Sequence, residues 1–491
     1  MRLSDATLNA LPSSVQVPAY DRAAVQTRIV HLGVGAFHRA HMAAYIDDCL
    51  ASDPRWGICG VSLRSASTRD ALAPQDGLFT IAVQSTEGLS LRVIGAMKSL
   101  ILTPEEPQRL AEIMCAGQTR LVSLTVTEKG YCHDPATGRL NQEHPDIVHD
   151  LRTDSYPRSA IGWLAYGILE RRARGIAPFT ILSCDNLPSN GPTVRQVLLD
   201  YLSIKAPNSL EWAERELAFP ATMVDRIVPA TTDEDCALIA TTLGQEDAWP
   251  VLAEPFSQFV VEDNFTLDRP AWEASGVTMA SDVEPFERMK LRMLNGSHST
   301  LAYLGYLAGH ETIADTMEDP PFKALVGDLM MKDIAPTLRV PEGVDLEAYS
   351  QALIERFSNT ALKHRTWQIA MDGSQKLPQR LLGTIADRLE ADADINRLAL
   401  GVAAWMRYAC GSDEKNQPID VRDPLTDSFK AIAAASDGSA KDLALRFFEL
   451  DTVFGNTLPA NKTFQSAIIA QLEMLLQHGA RSSVQAVLDL P

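Results

Sequence analysis

Two periodicities divide the chain. As far as about Asp282, short apolar runs alternate with stretches of helical spacing, and beyond it the spacing is helical almost throughout. Arg28–Leu32, Gly57–Leu63, Leu121–Val126 and Phe179–Cys184 are compact apolar runs of the kind that form strands in a covered sheet. The first run passes through Gly33-Val-Gly35 into a helix carrying Met42, Tyr45, Ile46 and Leu50, and with Gly57–Leu63 it makes a βαβ unit. Leu78–Gln84 and Leu91–Gly95, separated by Ser85–Ser90, predict an antiparallel hairpin with an irregular loop. Helices are expected through Ile161, Leu164, Ile168 and Leu169, and through Val194, Val197, Leu198, Tyr201 and Leu202. Met223–Pro229 and the region Phe256–Phe265 read as further strands. In the second half, Leu346, Tyr349, Leu353, Ile354 and Phe357 mark one amphipathic helix, and others are expected at 322–333, 377–390, 395–410, 441–450 and 463–489. The pattern predicts an α/β domain with an antiparallel insertion over 1–284, followed by a mainly α-helical domain over 285–491, with no Gly/Ser linker between them.

Composition narrows the function. With 491 residues and 46% hydrophobic content, two sizeable cores can be buried. The formal net charge of −19 argues against nucleic acid or an acidic membrane as partner, while leaving room for a small anion bound locally. The seven cysteines are scattered without a C-x-x-C pair, which fits a reducing compartment rather than a disulfide framework. No signal-peptide pattern and no apolar run of about 20 residues is present, so a soluble, cytoplasmic protein is expected, its oligomeric state left open.

Candidate chemistry gathers in two places. Gly33 and Gly35 follow a strand and open a helix, as in a dinucleotide-binding turn, although His38 stands where the third glycine of that fingerprint belongs. A structural turn is the simpler reading of such a short motif, and the βαβ spacing tips the balance toward a nucleotide. No acid closes the second strand, where Arg64, Ser65 and Ala66 stand, so NADP is left open beside NAD. The second place is Glu287-Arg-Met-Lys290-Leu-Arg-Met-Leu-Asn295-Gly-Ser-His298. Taking Lys290 as zero on an α-helix, Glu287, His298 and Asn295 fall at about 60°, 80° and 140°, one polar arc in an apolar helix. Helical side chains lean toward the N-terminus, so Lys290 points away from Asn295 and His298 unless Asn295-Gly296 loosens the helix. Asn186, at a strand end, reads on its own as an Asx turn or helix cap. The pair His38 and His41 lacks further ligands, and no metal site is expected.

These residues together resemble the polyol-specific long-chain dehydrogenases, the mannitol dehydrogenase and fructuronate reductase family. The resemblance rests on Gly33-Val-Gly-Ala-Phe-His38-Arg39-Ala-His41, Thr125-Val-Thr-Glu128-Lys-Gly-Tyr131, Ser183-Cys-Asp185-Asn186, Met223-Val-Asp225-Arg226 and Lys290-x4-Asn295-x2-His298, and it covers nearly the whole chain. His364-Arg-Thr-Trp-Gln-Ile-Ala-Met-Asp-Gly-Ser-Gln-Lys376 looks most like the fructuronate reductase branch, which interconverts D-fructuronate and D-mannonate. Gln368 stands where the mannitol enzymes are expected to carry an arginine, which argues mildly against mannitol.

The resemblance implies a Rossmann-like first domain and metal-independent hydride transfer, with Lys290 as acid/base. Desolvation and nearby cations are the physical means of readying such a lysine. It further implies Asn186 and Asn295 as donors to the reacting oxygen, His298 as the orienting group, and Glu287 as the proton link to water. Gly33, Gly35, Ala36, Phe37, His38, Arg39, Thr127 and Glu128 would hold NAD, and Asp225 a substrate hydroxyl. A sugar acid needs a cation for its carboxylate, and His364, Arg365 and Lys376 are the candidates. The alternatives are a mannitol or other polyol 2-dehydrogenase and, in a different class, a dinucleotide-binding protein without chemistry, which would have no use for Lys290.

Overall fold

In the computed structural model, which describes residues 1–134 and 137–490, neighbouring residues of the apolar runs enter two different cores. Val30, Leu32, Val122, Leu124 and Ile181 belong to one buried cluster, and Ile29, Leu121 and Leu182 to another. That alternation is the signature of strands covered on both faces.

The chain falls into two units, Met1–Glu284 and Pro285–Pro491. The first holds eleven strands among the described residues: β1 (Thr27–Leu32), β2 (Gly57–Ser62), β3 (Phe79–Ser85), β4 (Gly88–Ile94), β5 (Met97–Leu102), β6 (Leu121–Leu124), β7 (Thr180–Ser183), β8 (Thr222–Asp225), β9 (Val251–Ala253), β10 (Gln258–Glu262) and β11 (Thr278–Ala280). Five of them form a parallel sheet in the order β5-β2-β1-β6-β7. Counted by their sequence within that sheet the order is 3-2-1-4-5, the doubly wound arrangement whose direction reverses between β1 and β6. Ligands bind beyond the carboxyl ends of strands at such a switch point.

The expected hairpin is present as β3 and β4, with a tighter turn than the sequence suggested. Ser85 pairs with Gly88, so only Thr86 and Glu87 lie between the strands. Gly88 permits this with a φ of +124°. β9 joins the hairpin in parallel, and β8, β10 and β11 form a third sheet.

Described by itself, the second unit is helical. Helices at Leu346–Phe357, Asn396–Ala409, Ala440–Phe448 and Lys462–Leu488 match the periodic stretches, the last kinked at Gly479. Asn396–Ala409 packs along Lys462–Leu488, and Trp405 is buried against Phe429, Phe447 and Phe454. No helix of the described residues is long and apolar enough to cross a membrane.

Three stretches of this unit depart from simple α-helix: Lys290–Gly296, Leu329–Ile334 and Pro378–Leu382 are π-helical. The first follows the α-helix Glu284–Met289 without a break and continues into the α-helix Ser297–Ala308. π turns are rare, and single ones occur often at functional sites.

Candidate active site

In the first unit the carboxyl ends of β1 and β6 meet at Gly33. Its φ is +95°, and an ideal Cβ there would lie 2.2 Å from the Thr125 carbonyl oxygen. Only glycine meets both conditions. Gly35, immediately before the helix Ala36–Ala40, has nothing within 4 Å of the corresponding position, and Gly35 and Ala36 are exposed. Bare backbone facing open space at a helix start is the cradle a pyrophosphate requires, so these residues fit a dinucleotide. Phe37 is half-buried and stacks on His41 at 5.0 Å.

Beneath this loop is a brace the sequence reading passed over. His31, in β1, lies 2.8 Å from Ser123 Oγ through Nδ1 and 2.8 Å from Thr125 Oγ1 through Nε2. Thr125 Oγ1 donates to the Gly33 carbonyl at 2.6 Å. The His38 ring stacks on His31 at 3.4 Å. Burial pushes His31 down to about 3, and burial together with repulsion from His31 holds His38 well below the usual histidine range. Both imidazoles are therefore neutral packing elements at pH 7. Arg39 is equally committed: it donates to the Trp249 carbonyl and lies over the Phe79 and Trp249 rings. Of the expected cofactor residues, His38 and Arg39 thus offer a ligand backbone rather than side chain. His41 binds the Gln258 carbonyl through Nε2 at 2.8 Å, on a different side from His38.

Thr127 and Glu128 are exposed at the end of β6, with Thr127 in the left-handed region at φ +61°. Asp185 holds this turn, accepting from the Val126 and Thr127 amides at 2.9 and 3.2 Å and from the Tyr131 hydroxyl at 2.8 Å. Burial raises the Asp185 carboxyl above its usual range despite these donors. Asn186 follows, exposed. The turn-building work that its residue type suggested falls to Asn190, whose amide donates to the Asp185 and Thr222 carbonyls and to Thr222 Oγ1 at 2.9–3.1 Å. Asp225 is 4% exposed at the end of β8.

In the second unit Lys290 opens the first π segment and is 6% exposed. Glu287 and Asn295 are half-buried on the same continuous helix, and His298 is buried one turn into the α-helix that follows. The wider turn means that the α-helical angles expected for Asn295 and His298 do not apply to this segment. Gly296 is the point of closest approach to a neighbour: an ideal Cβ there would lie 2.7 Å from the Arg380 carbonyl oxygen, in the third π segment.

Around His298 the charge has one sign. Its ring stacks between Phe357 at 5.1 Å and His364 at 5.4 Å, and its buried Nε2 has no hydrogen-bond partner among the described residues. Burial, with His364, Arg380, Arg356 and Lys376 adding repulsion, holds it well below the usual histidine range. Burial takes His364 down to about 4, and burial and Arg380 take Lys376 down to about 8. Lys376 Nζ is tied to the Met371 carbonyl at 2.5 Å. Of the three expected carboxylate partners, His364 and Lys376 belong to this group. Arg365 is half exposed and already paired with Glu311 at 2.5 Å. Arg380 and Arg356 are members that the sequence reading did not single out.

Two family models match the chain: the mannitol dehydrogenase Rossmann domain over residues 27–274 and the mannitol dehydrogenase C-terminal domain over 282–476. The chain belongs to the mannitol dehydrogenase family. It is similar to the D-mannonate oxidoreductase of Escherichia coli (strain K12), at 48% identity over 96% of this chain and 97% of the relative. The mannitol 2-dehydrogenase of Phaeosphaeria nodorum is 39% identical over 99% of this chain and 85% of the relative. Among solved structures, the Pseudomonas fluorescens mannitol 2-dehydrogenase, in a ternary complex with NAD and D-mannitol, superposes with a TM-score of 0.88 at 37% identity, covering 100% of both chains. Family membership makes the protein an oxidoreductase with a Rossmann dinucleotide-binding domain.

Proposed function

We propose that the protein is an NAD-dependent oxidoreductase that interconverts D-mannonate and D-fructuronate. The observation that carries the substrate choice is the cationic set around His298, which suits a sugar acid better than a neutral polyol. The 48% identity to a D-mannonate oxidoreductase supports the same choice.

In the oxidation direction the secondary alcohol loses its hydroxyl proton to Lys290 Nζ as the carbonyl forms. When bound, NAD supplies the acceptor for the hydride, and its reduced form the donor in reverse. The lysine needs no counter-charge to do this, only a position shielded from bulk water, and its 6% exposure supplies one. Asn295 donates to the oxygen as charge builds on it, and Asn186 is assigned the same role. His298, neutral at pH 7, presents Nε2 to a substrate oxygen. Glu287, three residues before Lys290, returns the proton to water. Asp225 binds a substrate hydroxyl. The first unit holds the dinucleotide through the backbone of Gly33, Gly35, Ala36 and Phe37, with Thr127 and Glu128 at its edge.

The test is NADH formation from D-mannonate compared with D-mannitol, using NAD and NADP in parallel. Lys290→Ala should lower kcat by about 100-fold or more while leaving NADH binding intact. Turnover of D-mannitol with none of D-mannonate would replace the substrate, and near-normal turnover by Lys290→Ala would remove the lysine from its role.

A further inference from the structure

The reading above, on which this inference rests, requires a group for the substrate's carboxylate. The sequence candidates answer that need incompletely. Arg365 is neutralised by Glu311 in a half-exposed pair. His364 is uncharged at pH 7. Lys376 is charged for most of the protein at that pH, but its ammonium is anchored on the Met371 carbonyl.

Arg380 differs from all three. It lies in the π segment Pro378–Leu382, and its backbone carbonyl packs against Gly296. Its guanidinium donates through Nη1 to Ser299 Oγ at 2.9 Å. Ser299 is the residue after His298, and Gly296 the residue after Asn295, so Arg380 is fixed by two contacts to the turn that carries both. Its one hydrogen-bond partner among the described residues is that neutral hydroxyl, and no carboxylate pairs with it. A largely buried guanidinium surrounded by other cations and lacking an anion is costly, and a planar fork of N–H donors is shaped to receive a carboxylate with two parallel bonds.

We propose that Arg380 receives the carboxylate of the sugar-acid substrate, with Lys376 as a second cation, and so sets the preference for hexonates over neutral polyols.

A binding experiment separates this from the chemistry. D-Mannonate and its uncharged analogue D-mannonamide are titrated into the enzyme–NADH complex, which cannot oxidise either. Wild type should bind the acid more tightly than the amide. In Arg380→Met the acid should weaken by about 100-fold, the scale of a lost charge-assisted pair, and the preference over the amide should disappear. Arg380→Lys, which keeps the charge but loses the fork, should fall between the two. Melting temperature and NADH affinity report whether each variant is folded, and the lysine variant carries the test should the methionine variant fail to fold. Retention of the acid-over-amide preference in these variants, in an enzyme that oxidises D-mannonate, overturns the inference alone. A wild type that oxidises D-mannitol and neither binds nor oxidises D-mannonate overturns the substrate reading, and this inference with it.

Discussion

Lys376 shows how a residue's surroundings set its working range. Burial and the neighbouring Arg380 hold its ammonium at about 8, against an ordinary lysine value near 10.5. A bound carboxylate favours the protonated form, so binding of an acid and protonation of Lys376 reinforce each other. D-Mannonate should therefore bind most tightly below pH 8 and weaken as pH rises through that value. Lys376→Gln should bind more weakly at pH 7 and lose the step, which titrations of the NADH complex between pH 6 and 9.5 would reveal. An unchanged step in that variant would assign the titration to another group. At this scale the sequence was informative about residue types and silent about their neighbours. Lys290, Asn295 and His298 stood out because polar groups in so apolar a run need a reason. Arg380, in Pro378-Gln-Arg-Leu-Leu, looks like any helix-surface charge, and only the fold reveals that its backbone abuts Gly296. Arg365 illustrates the converse, a cation in a promising stretch whose partner Glu311 lies 54 positions away in sequence.

Elements were legible in proportion to their length and burial. β1, β2, β6 and β7 are written as apolar runs because both of their faces are covered. β9 and β11, three residues each, owe their pairing to neighbours rather than to a pattern of their own, and the sequence did not announce them. The π segments were invisible for another reason. Met289, Met293 and Leu294 are all buried, so apolar residues surround the helix and no stripe records how far each residue turns. What the sequence does contain is Gly296, the one residue that lets two π segments touch. Gly296→Ala should cost about 1–3 kcal/mol, because the Cβ meets a backbone carbonyl that cannot rotate aside. Gly117→Ala, where nothing lies within 4 Å, should stay within about 0.5 kcal/mol. Urea unfolding of the two variants measures the difference, and equal effects would mean that the helices separate at little cost.

At the scale of the molecule, each unit has its own core. The largest apolar cluster is drawn wholly from residues after Pro285, and the other three wholly from residues before it. Charge explains part of the behaviour to be expected: at −19 the protein repels polyanions, while the basic groups around His298 attract one small anion locally. The division also makes cofactor binding separable in experiment. NADH should slow amide hydrogen exchange in the segments around Gly33 and Thr127 while leaving the helix Asn396–Ala409 little affected, since a ligand protects the contacts it touches before it protects the whole chain. Protection spread evenly over both units would contradict this.

The π turn beginning at Lys290 has a consequence for length. Such a turn holds a residue more than an α-helical turn, so removing any single residue between 290 and 296 would leave an unbroken helix rather than a broken one. Everything after the deletion would then be rotated by about 100°, and His298 would leave the gap between Phe357 and His364. Insertions and deletions that a surface loop absorbs silently would here act as a change of phase, and the number of residues in this stretch is as much a part of the site as their identity.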